Sequence, residues 1–200
     1  MEIFKASSIL FILLNPFLMS VYLINLIREL PQRDFTKVVI RAHIISFVAF
    51  AIFAISGESI FENVFKVRFA SFLIFGGIIF LMIGVKAVFS GQISLLETRG
   101  DPEHIVGAIA MPFMIAPGTL SASVLIGSSL PRNTAILAIA LAVIGSLVSL
   151  ILFKFIHDPL KKNNERLLNR YVEIIGRVVA VFTGTYAIEM IANGIRLLLK

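Results

Sequence analysis

The stretch LNPFLMS, residues 14–20, interrupts a segment that otherwise has the composition of a membrane-spanning helix. No charged residue occurs between Ala6 and Ile27, and a helix of that length crosses a bilayer at roughly 1.5 Å per residue. Pro16 has no N–H to donate, and its ring clashes with the carbonyl group of Ile12, four residues earlier. We therefore expect a helix break near the middle of the membrane. Broken backbone is stable there only where protein buries it or where it lines a polar cavity.

The composition of the whole chain is that of an integral membrane protein, because 58% of its 200 residues are hydrophobic and only 15% are charged. Stretches of about 20 apolar residues predict an all-α membrane protein with six spans. These spans cover roughly residues 6–27, 38–57, 69–89, 105–127, 133–156 and 171–197. The first is too long for a cleavable signal peptide. The absence of cysteine excludes disulfide bonds and thiolate metal sites.

The positive charges predict how the chain is oriented in the membrane. The connections between spans 1 and 2, 3 and 4, and 5 and 6 contain ten basic residues, and the opposite side contains six. The ten are Arg28, Arg33, Lys37, Arg41, Arg99, Lys154, Lys161, Lys162, Arg166 and Arg170, and the six are Lys5, Lys66, Arg68, Arg132, Arg196 and Lys200. By the positive-inside rule, the first set is cytoplasmic and both termini lie outside. The net charge of +6 therefore indicates orientation rather than nucleic-acid binding.

The chain resembles itself at an offset of 100 residues. The pair Leu-Pro occurs at 30–31 and at 130–131, and the last span of each half has glycines at matching positions. With one residue of slippage, Pro16 aligns with Pro117. Each half contains three spans, so the second half must enter the membrane from the opposite side. We expect residues 1–100 and 101–200 to form two inverted three-helix repeats, an architecture that recurs in secondary transporters.

The two breaks predict a binding site that needs no charged side chain. Asn15 followed by Pro16 is typical of the cap and first residue of a helix, and Gly118, Thr119 and Ser121 offer a similar start in span 4. The start of a helix attracts anions, and the carbonyl groups at the end of the preceding segment attract cations. Two such breaks suit an amino acid zwitterion. The alternative is that the prolines are ordinary kinks, repaired by hydroxyl groups, that bind no ligand.

The remaining glycines and charges inside the spans have simpler explanations. Gly176, Ala180 and Gly184 lie at four-residue steps, which is typical of close helix packing, although packing against the broken helices also brings this backbone beside the cavity. Lys86 and Glu189 are expected near opposite membrane interfaces, and His43 is expected at an interface as well. Glu173 and Arg177 have the spacing of an ion pair within one helix. None of these groups is expected at the depth of the breaks.

Five motifs together resemble the MarC family of six-span inner-membrane proteins, also called the small neutral amino acid transporter family. They are NPF at 15–17, GGIIFLMIG at 76–84, AMP at 110–112, APGT at 116–119 and NGI at 193–195, and the resemblance covers essentially the whole chain. It implies two inverted repeats, with helices 1 and 4 broken, in the inner membrane of a prokaryote. It also implies transport of glycine, alanine and related amino acids. The family usually has Gly-Pro-Gly where this chain has Ala116 before Pro117 and Gly118.

The expected function is secondary transport of small neutral amino acids by alternating access, coupled to Na⁺ or H⁺ and without a cofactor. The substrate-binding residues we expect are Asn15, Pro16, Phe17, Ser20, Ala116, Pro117, Gly118, Thr119, Ser121, Gly77 and Gly184. The expected partners are this substrate and the lipid bilayer, with a homo-oligomer left open.

Three alternatives remain open. The first is export of another small solute or of a metal ion, of which export of a metal ion is weakened because neither carboxylates nor histidines occur near the breaks. An intramembrane enzyme is disfavoured because the sequence has no HExxH or GxSxG motif and no catalytic residue suggests itself. A scaffold or assembly factor that transports nothing is compatible with everything above.

Overall fold

The protein is an all-α membrane protein. A computed structural model describes residues 2–57, 59–63, 66–90, 106–107, 109–110, 114–163 and 165–199, and this described part contains helices and no strand. The helices are α1 (Ile3–Leu14), α2 (Pro16–Tyr22), α3 (Ile24–Glu29), α4 (Gln32–Ser56), α5 (Ser59–Asn63), α6 (Phe69–Ser90), α7 (Pro117–Ser129), α8 (Arg132–Asn163) and α9 (Glu165–Leu198).

Four helical segments of the described part are long and apolar enough to cross a membrane. They are Ile3–Tyr22, Gln32–Ser56, Phe69–Lys86 and Arg132–Pro159. Helix α4 begins six residues before the predicted span 38–57 and α8 ends seven residues after the predicted span 133–156, and each helix begins directly after a Leu-Pro pair. Proline disfavours helical backbone in the residue before it, so it separates these helices from α3 and α7.

The first helix breaks where the sequence predicts. Helix α1 ends at Leu14, Asn15 adopts left-handed backbone angles of φ 42° and ψ 72°, and α2 begins at Pro16. Asparagine tolerates this conformation better than most residues do, and proline suits the first position of a helix. Helices α2 and α3 are nearly continuous, because the Ile27 N–H donates to the Leu23 carbonyl over 2.8 Å across the bend between them.

The second break lies directly before Pro117, which is the first residue of α7. Ala116 has extended backbone angles of φ −101° and ψ 157°. The Ile115 N–H donates to the Ala110 carbonyl, five residues earlier, over 2.8 Å. A bond of this π-helical type often occurs at functional sites. Pro112, the other proline of the predicted break, lies outside the described residues.

Helices α6 and α9 pack along each other in an antiparallel pair. A Cβ atom at Gly77 would lie 2.8 Å from the Ala187 carbonyl oxygen, and one at Gly194 would lie 2.8 Å from the Ala70 carbonyl oxygen. A Cβ atom at Gly84 would lie 3.0 Å from the backbone nitrogen of Gly184. Small residues therefore allow the two backbones to approach closely, as in many membrane helix pairs.

The remaining helices of the first half of the chain pack against helices of the second half. Helices α1 to α3 lie against α8, where the Lys154 side chain reaches the Ile27 carbonyl, and α4 lies against α7, where the backbone of Ala54 touches Gly127. The main hydrophobic core joins α1 to α4 with α7 and α8. This arrangement brings the two breaks to the same region of the molecule.

Candidate functional site

A cavity of about 310 Å³ lies between the two helix breaks. Its lining combines residues before and after the first break with the start of α7 and with one face of α9. The described residues that line it are Ile12, Leu13, Leu14, Asn15, Leu18, Met19, Tyr22, Phe80, Ala116, Gly118, Thr119, Phe182, Thr183 and Tyr186. None of these residues carries a formal charge at neutral pH.

The first break contributes both a helix end and a helix start to this cavity. The Asn15 side-chain oxygen accepts a hydrogen bond from the Leu18 N–H at 3.1 Å, so Asn15 caps α2 as the sequence predicts. The carbonyl of Ile12 would ordinarily accept from residue 16, but proline has no N–H. Ile12 is among the lining residues, and the break leaves a carbonyl acceptor without its helical donor on one side and begins a helix on the other.

The second break is held together by the hydroxyl group of Thr119. This oxygen lies 2.6 Å from the Met114 carbonyl and 2.8 Å from the Ala116 carbonyl, and it accepts from the Ala116 N–H at 3.0 Å. The contact with the Ala116 N–H is one half of a capping box. Thr119 is buried, with 3% of its surface exposed. It therefore fixes the backbone from Met114 to the first turn of α7, where Gly118 faces the cavity.

Two tyrosines and a threonine complete the polar lining, and the sequence analysis did not identify them. The hydroxyl groups of Tyr22 and Thr183 are 3.0 Å apart and join α2 to α9. Tyr186, one helical turn beyond Thr183, places its hydroxyl against Gly118, where a Cβ atom would collide with it. The sequence did contain an indication of these residues, because the whole chain has only three tyrosines. A buried tyrosine hydroxyl usually requires a partner, so tyrosines within apolar spans indicate polar neighbours.

The expected binding residues fall into two groups. Asn15, Ala116, Gly118 and Thr119 line the cavity together. The other group does not line it, and its members are Pro16, Phe17, Ser20, Pro117, Ser121, Gly77 and Gly184.

The residues of the second group lie outside the cavity lining, at a helix start, on an exposed surface, within a helix or at a contact between helices. Pro16 begins α2, and Phe17 is 43% exposed. Ser20 is buried, but its hydroxyl donates to the Phe17 carbonyl at 2.6 Å within its own helix. Pro117 touches Gly76 on α6, because a Cβ atom at Gly76 would collide with its ring. Gly77 and Gly184 lie where α6 and α9 pack together, which fits the packing explanation of the glycine stripe.

A second cavity of about 480 Å³, which we call the vestibule, adjoins the first. Leu13, Gly118 and Tyr186 line both cavities and separate them. Ser121 lines the vestibule and not the central cavity. The vestibule is also lined by Ile9, Leu73, Ala122, Leu125, Glu189, Met190, Asn193, Arg196 and Leu197.

The charged residues of the described part do not line the central cavity. Glu189 pairs with Arg196 at 3.5 Å at the vestibule, and both side chains are exposed. His43 was expected at a membrane interface, and the structure shows that it is buried between α4 and α8. It is 1% exposed, its Nδ1 lies 2.8 Å from the Val39 carbonyl, and its Nε2 lies 3.3 Å from the Ser146 hydroxyl. A neutral imidazole can satisfy both contacts.

Lys154 also differs from its expected position in a loop. It is 2% exposed within α8, and its Nζ donates over 2.7 Å to the Ile27 carbonyl and over 2.7 Å to Asp158. The Ile27 carbonyl lacks its usual helical donor because residue 31 is proline. The lysine therefore caps the end of α3. The Glu173 side chain of the expected Glu173–Arg177 pair lies outside the described residues.

Comparison with known proteins places the whole chain in one family. The family model described as MarC family integral membrane protein matches residues 1–199. The chain belongs to the MarC family. The UPF0056 membrane protein PH0214 of Pyrococcus horikoshii is 22% identical over 181 residues, which cover 88% of this chain and 89% of the relative. No solved structure matches the chain.

Membership of the MarC family confirms the resemblance derived from the five short motifs. It agrees with the apolar helices in identifying an integral membrane protein that crosses the bilayer several times. Within the described part of this MarC protein, no three histidine, aspartate or glutamate side chains lie close enough together to hold a metal ion. The groups that could bind a ligand at the breaks are therefore backbone N–H and carbonyl groups, side-chain hydroxyl groups and the Asn15 amide.

Proposed function

We propose that this MarC-family protein is a secondary transporter of small neutral amino acids, glycine and alanine above all, that works by alternating access. The observation that carries the proposal is a small uncharged cavity between two helix breaks, mostly apolar but lined by an amide and by threonine and tyrosine hydroxyl groups. The first turn of α7 would receive the substrate carboxylate, because unpaired N–H groups and the helix dipole favour an anion there. The carbonyl groups at the end of α1 would receive the ammonium group.

The size of the cavity supports a small substrate. At about 310 Å³ it is near the lower end of the range of roughly 300–1,000 Å³ for ligand pockets. A lysine or glutamate side chain would bring a further charge into a lining that has none among its described residues, and an unpaired buried charge is costly.

Alternating access is supported by a contact between the two halves of the chain that has an equivalent at the positions related by the 100-residue repeat. Ile27 on α3 meets Lys154 on α8. In the internal repeat, Ile27 corresponds to position 127 and Lys154 corresponds to position 54. The residues at these two positions, Gly127 on α7 and Ala54 on α4, are also in contact. We infer that residues 1–100 and 101–200 are two inverted three-helix repeats, each packed against the other. Rocking of one repeat against the other is a common transport mechanism in such folds.

The same proposal includes an orientation and a coupling ion. We place the protein in the inner membrane of a prokaryote with both termini outside, on the basis of the charge distribution. Na⁺ or H⁺ would drive the transport, with Na⁺ held by carbonyl and hydroxyl oxygens of the breaks. The protein would act without a cofactor and without enzymatic activity.

Thermal unfolding of the purified protein tests the substrate class. Glycine and alanine are expected to raise the melting temperature, because a ligand that binds only the folded state stabilises it. Lysine and glutamate should leave it unchanged, and equal stabilisation by glutamate would contradict the zwitterion site.

Uptake of labelled glycine into proteoliposomes separates a transporter from a scaffold. A Na⁺ gradient and a proton gradient are imposed in separate experiments, and one of them should drive accumulation. A protein that neither takes up glycine nor is stabilised by any neutral amino acid would instead favour the scaffold or assembly factor, or export of another solute.

A further inference from the structure

An apolar groove of about 660 Å³ opens between α4, α6 and α7, apart from the central cavity. All the described residues that line it are apolar, and five of them are the phenylalanines Phe53, Phe61, Phe72, Phe75 and Phe80. Helices α4 and α6 are two of the segments that are able to cross the membrane. The groove therefore lies within the bilayer, where the surrounding molecules are lipid acyl chains.

The length of the groove suits one leaflet. It follows α6 from Phe72 to Phe80, which is roughly 12 Å at 1.5 Å per residue, and Val67, before the start of α6, extends it outward. Half of a hydrocarbon core about 30 Å thick is of similar length. An acyl chain that enters at the start of α6 would reach the middle of the membrane at the inner end of the groove.

The outer end of the groove combines an aromatic wall with positive charge. Phe61 is 3% exposed, and its ring centre lies 5.0 Å from that of Phe72. Val67 lines the groove here, and its N–H donates to the Phe61 carbonyl at 3.0 Å. The residues on either side of Val67 are Lys66 and Arg68, and both are exposed. Basic side chains at a membrane surface attract anionic lipid headgroups.

The inner end of the groove touches the second helix break. Pro117, the first residue of α7, lines the groove and packs on Gly76. Phe80 lines both the groove and the central cavity. A molecule in the groove would therefore contact the residue directly before Gly118.

We propose that this groove binds one acyl chain of an anionic phospholipid, whose phosphate group lies between Lys66 and Arg68. The acyl chain fills the space beside Pro117 and supports the start of α7 from the side opposite the central cavity. The site does not depend on which solute the protein transports.

The test uses the absence of tryptophan from the chain, which makes one introduced tryptophan a unique fluorescent reporter. Phe72→Trp places the reporter in the groove, and Ile79→Trp places a second one deeper in case the first variant does not fold. Val148→Trp is the matched control, because Val148 is an exposed residue on α8, away from the groove. Phosphatidylglycerol or phosphatidylcholine with brominated acyl chains is titrated into each protein purified in detergent.

Phosphatidylglycerol is expected to quench the groove reporters at a concentration at least about fivefold lower than phosphatidylcholine does, given the gain from a basic residue at a membrane surface. The Val148→Trp control should show no such preference. Adding Lys66→Gln and Arg68→Gln to the Phe72→Trp variant should remove the preference, whereas adding Lys5→Gln, at another exposed lysine, should keep it.

Three results would overturn the proposal. The first is equal quenching of the groove reporters by the two lipids. The second is the same lipid preference at Val148→Trp, which would indicate only a general attraction to the membrane. The third is a groove reporter that no brominated lipid quenches in a protein that migrates as a dimer, since a second copy would then cover the groove.

Discussion

At the scale of single residues, Thr119 connects the stability of the protein to its proposed site. Its hydroxyl bridges Met114 and Ala116 across the second break, and the same side chain lines the cavity. Asn15 has the equivalent task at the first break, where it caps α2. Both residues satisfy backbone groups that lack a helical partner because the helix is interrupted, and neither introduces a charge.

We predict that Thr119→Val lowers both stability and glycine binding. The variant keeps the shape of the side chain but leaves buried backbone groups without a partner, which costs about 1–3 kcal/mol. Thr119→Ser is the control, because it retains the hydroxyl. Thermal unfolding and calorimetry with glycine measure the two effects. A Thr119→Val protein that matches the Thr119→Ser protein in both measurements would show that the hydroxyl does not hold the break.

A second prediction at this scale concerns Lys154. Lys154→Met removes the donor to the Ile27 carbonyl and leaves Asp158 without its close partner, so the melting temperature should fall clearly. Lys37→Met is the matched control, since Lys37 forms an exposed pair with Asp34 at 3.5 Å. Exposed pairs of this kind contribute at most about 1 kcal/mol. Equal melting temperatures for the two variants would contradict the capping role of Lys154.

At the scale of helices, the pair formed by α6 and α9 is packed through backbone that tolerates few side chains. Gly77, Gly84 and Gly194 each face the opposing helix at distances that leave no room for a Cβ atom without movement. The seam supports the cavity indirectly, because Thr183 and Tyr186 on α9 line it and Phe80 on α6 does so as well. A shift of one helix along the other would displace these three side chains together.

We predict that Gly84→Ala destabilises the protein more than Gly184→Ala does, although the two glycines align in the internal repeat. A Cβ atom at Gly84 would lie 3.0 Å from the Gly184 nitrogen, whereas one at Gly184 would meet nothing within 4 Å. Thermal unfolding of the two purified variants measures the difference. The packing of α6 on α9 described above is incorrect if Gly184→Ala has the larger effect.

At the scale of the whole molecule, the two ends of the chain meet at the vestibule. Ile9 on the first helix and Leu197 on the last helix line the same cavity, which fits the expectation that both termini lie on one side of the membrane. A solute would pass from that side through the vestibule and past Tyr186 to reach the central cavity. In the proposed transport mechanism, the vestibule would be the entrance, Tyr186 the partition and the central cavity the binding space.

We predict that both termini face outside. Lys5→Cys and Leu199→Cys should react with an impermeant thiol reagent on intact cells, and Lys37→Cys should react only after the cells are permeabilised. All three positions are exposed, and the chain contains no other cysteine that would react. Labelling of Lys37→Cys alone on intact cells would reverse the orientation.

We also predict that Tyr186 limits access to the central cavity. In the purified protein, a hydrophilic thiol reagent should label Ser121→Cys in the vestibule faster than Leu18→Cys in the central cavity. Adding Tyr186→Ala should speed the labelling of Leu18→Cys severalfold. Adding Leu125→Ala, which enlarges the vestibule without touching the partition, should not. Equal acceleration by both additions would mean that Tyr186 is not the barrier.

The predictions from sequence succeeded where the physical cause is local. Apolar composition indicates a membrane protein whatever the packing, and the breaks at Pro16 and Pro117 follow from the missing N–H of proline. The cap formed by Asn15 depends on residues within one helical turn, and it is confirmed. The family could also be recognised in advance, because each of its motifs is a short continuous stretch of sequence.

By itself, then, the sequence determined an all-helical membrane protein of the MarC family, with helix breaks at Asn15 and before Pro117. Only the tertiary structure decided which polar groups face the cavity between the breaks. Tyr22 and Thr183 are 161 positions apart, and the contact between Gly118 and Tyr186 also spans two helices. Likewise, nothing near Lys154 in the chain indicates that its side chain donates to the Ile27 carbonyl in place of the N–H that Pro31 lacks. The physical reason is that the rotation of each helix about its own axis, which decides where its side chains point, is fixed by the helices packed against it.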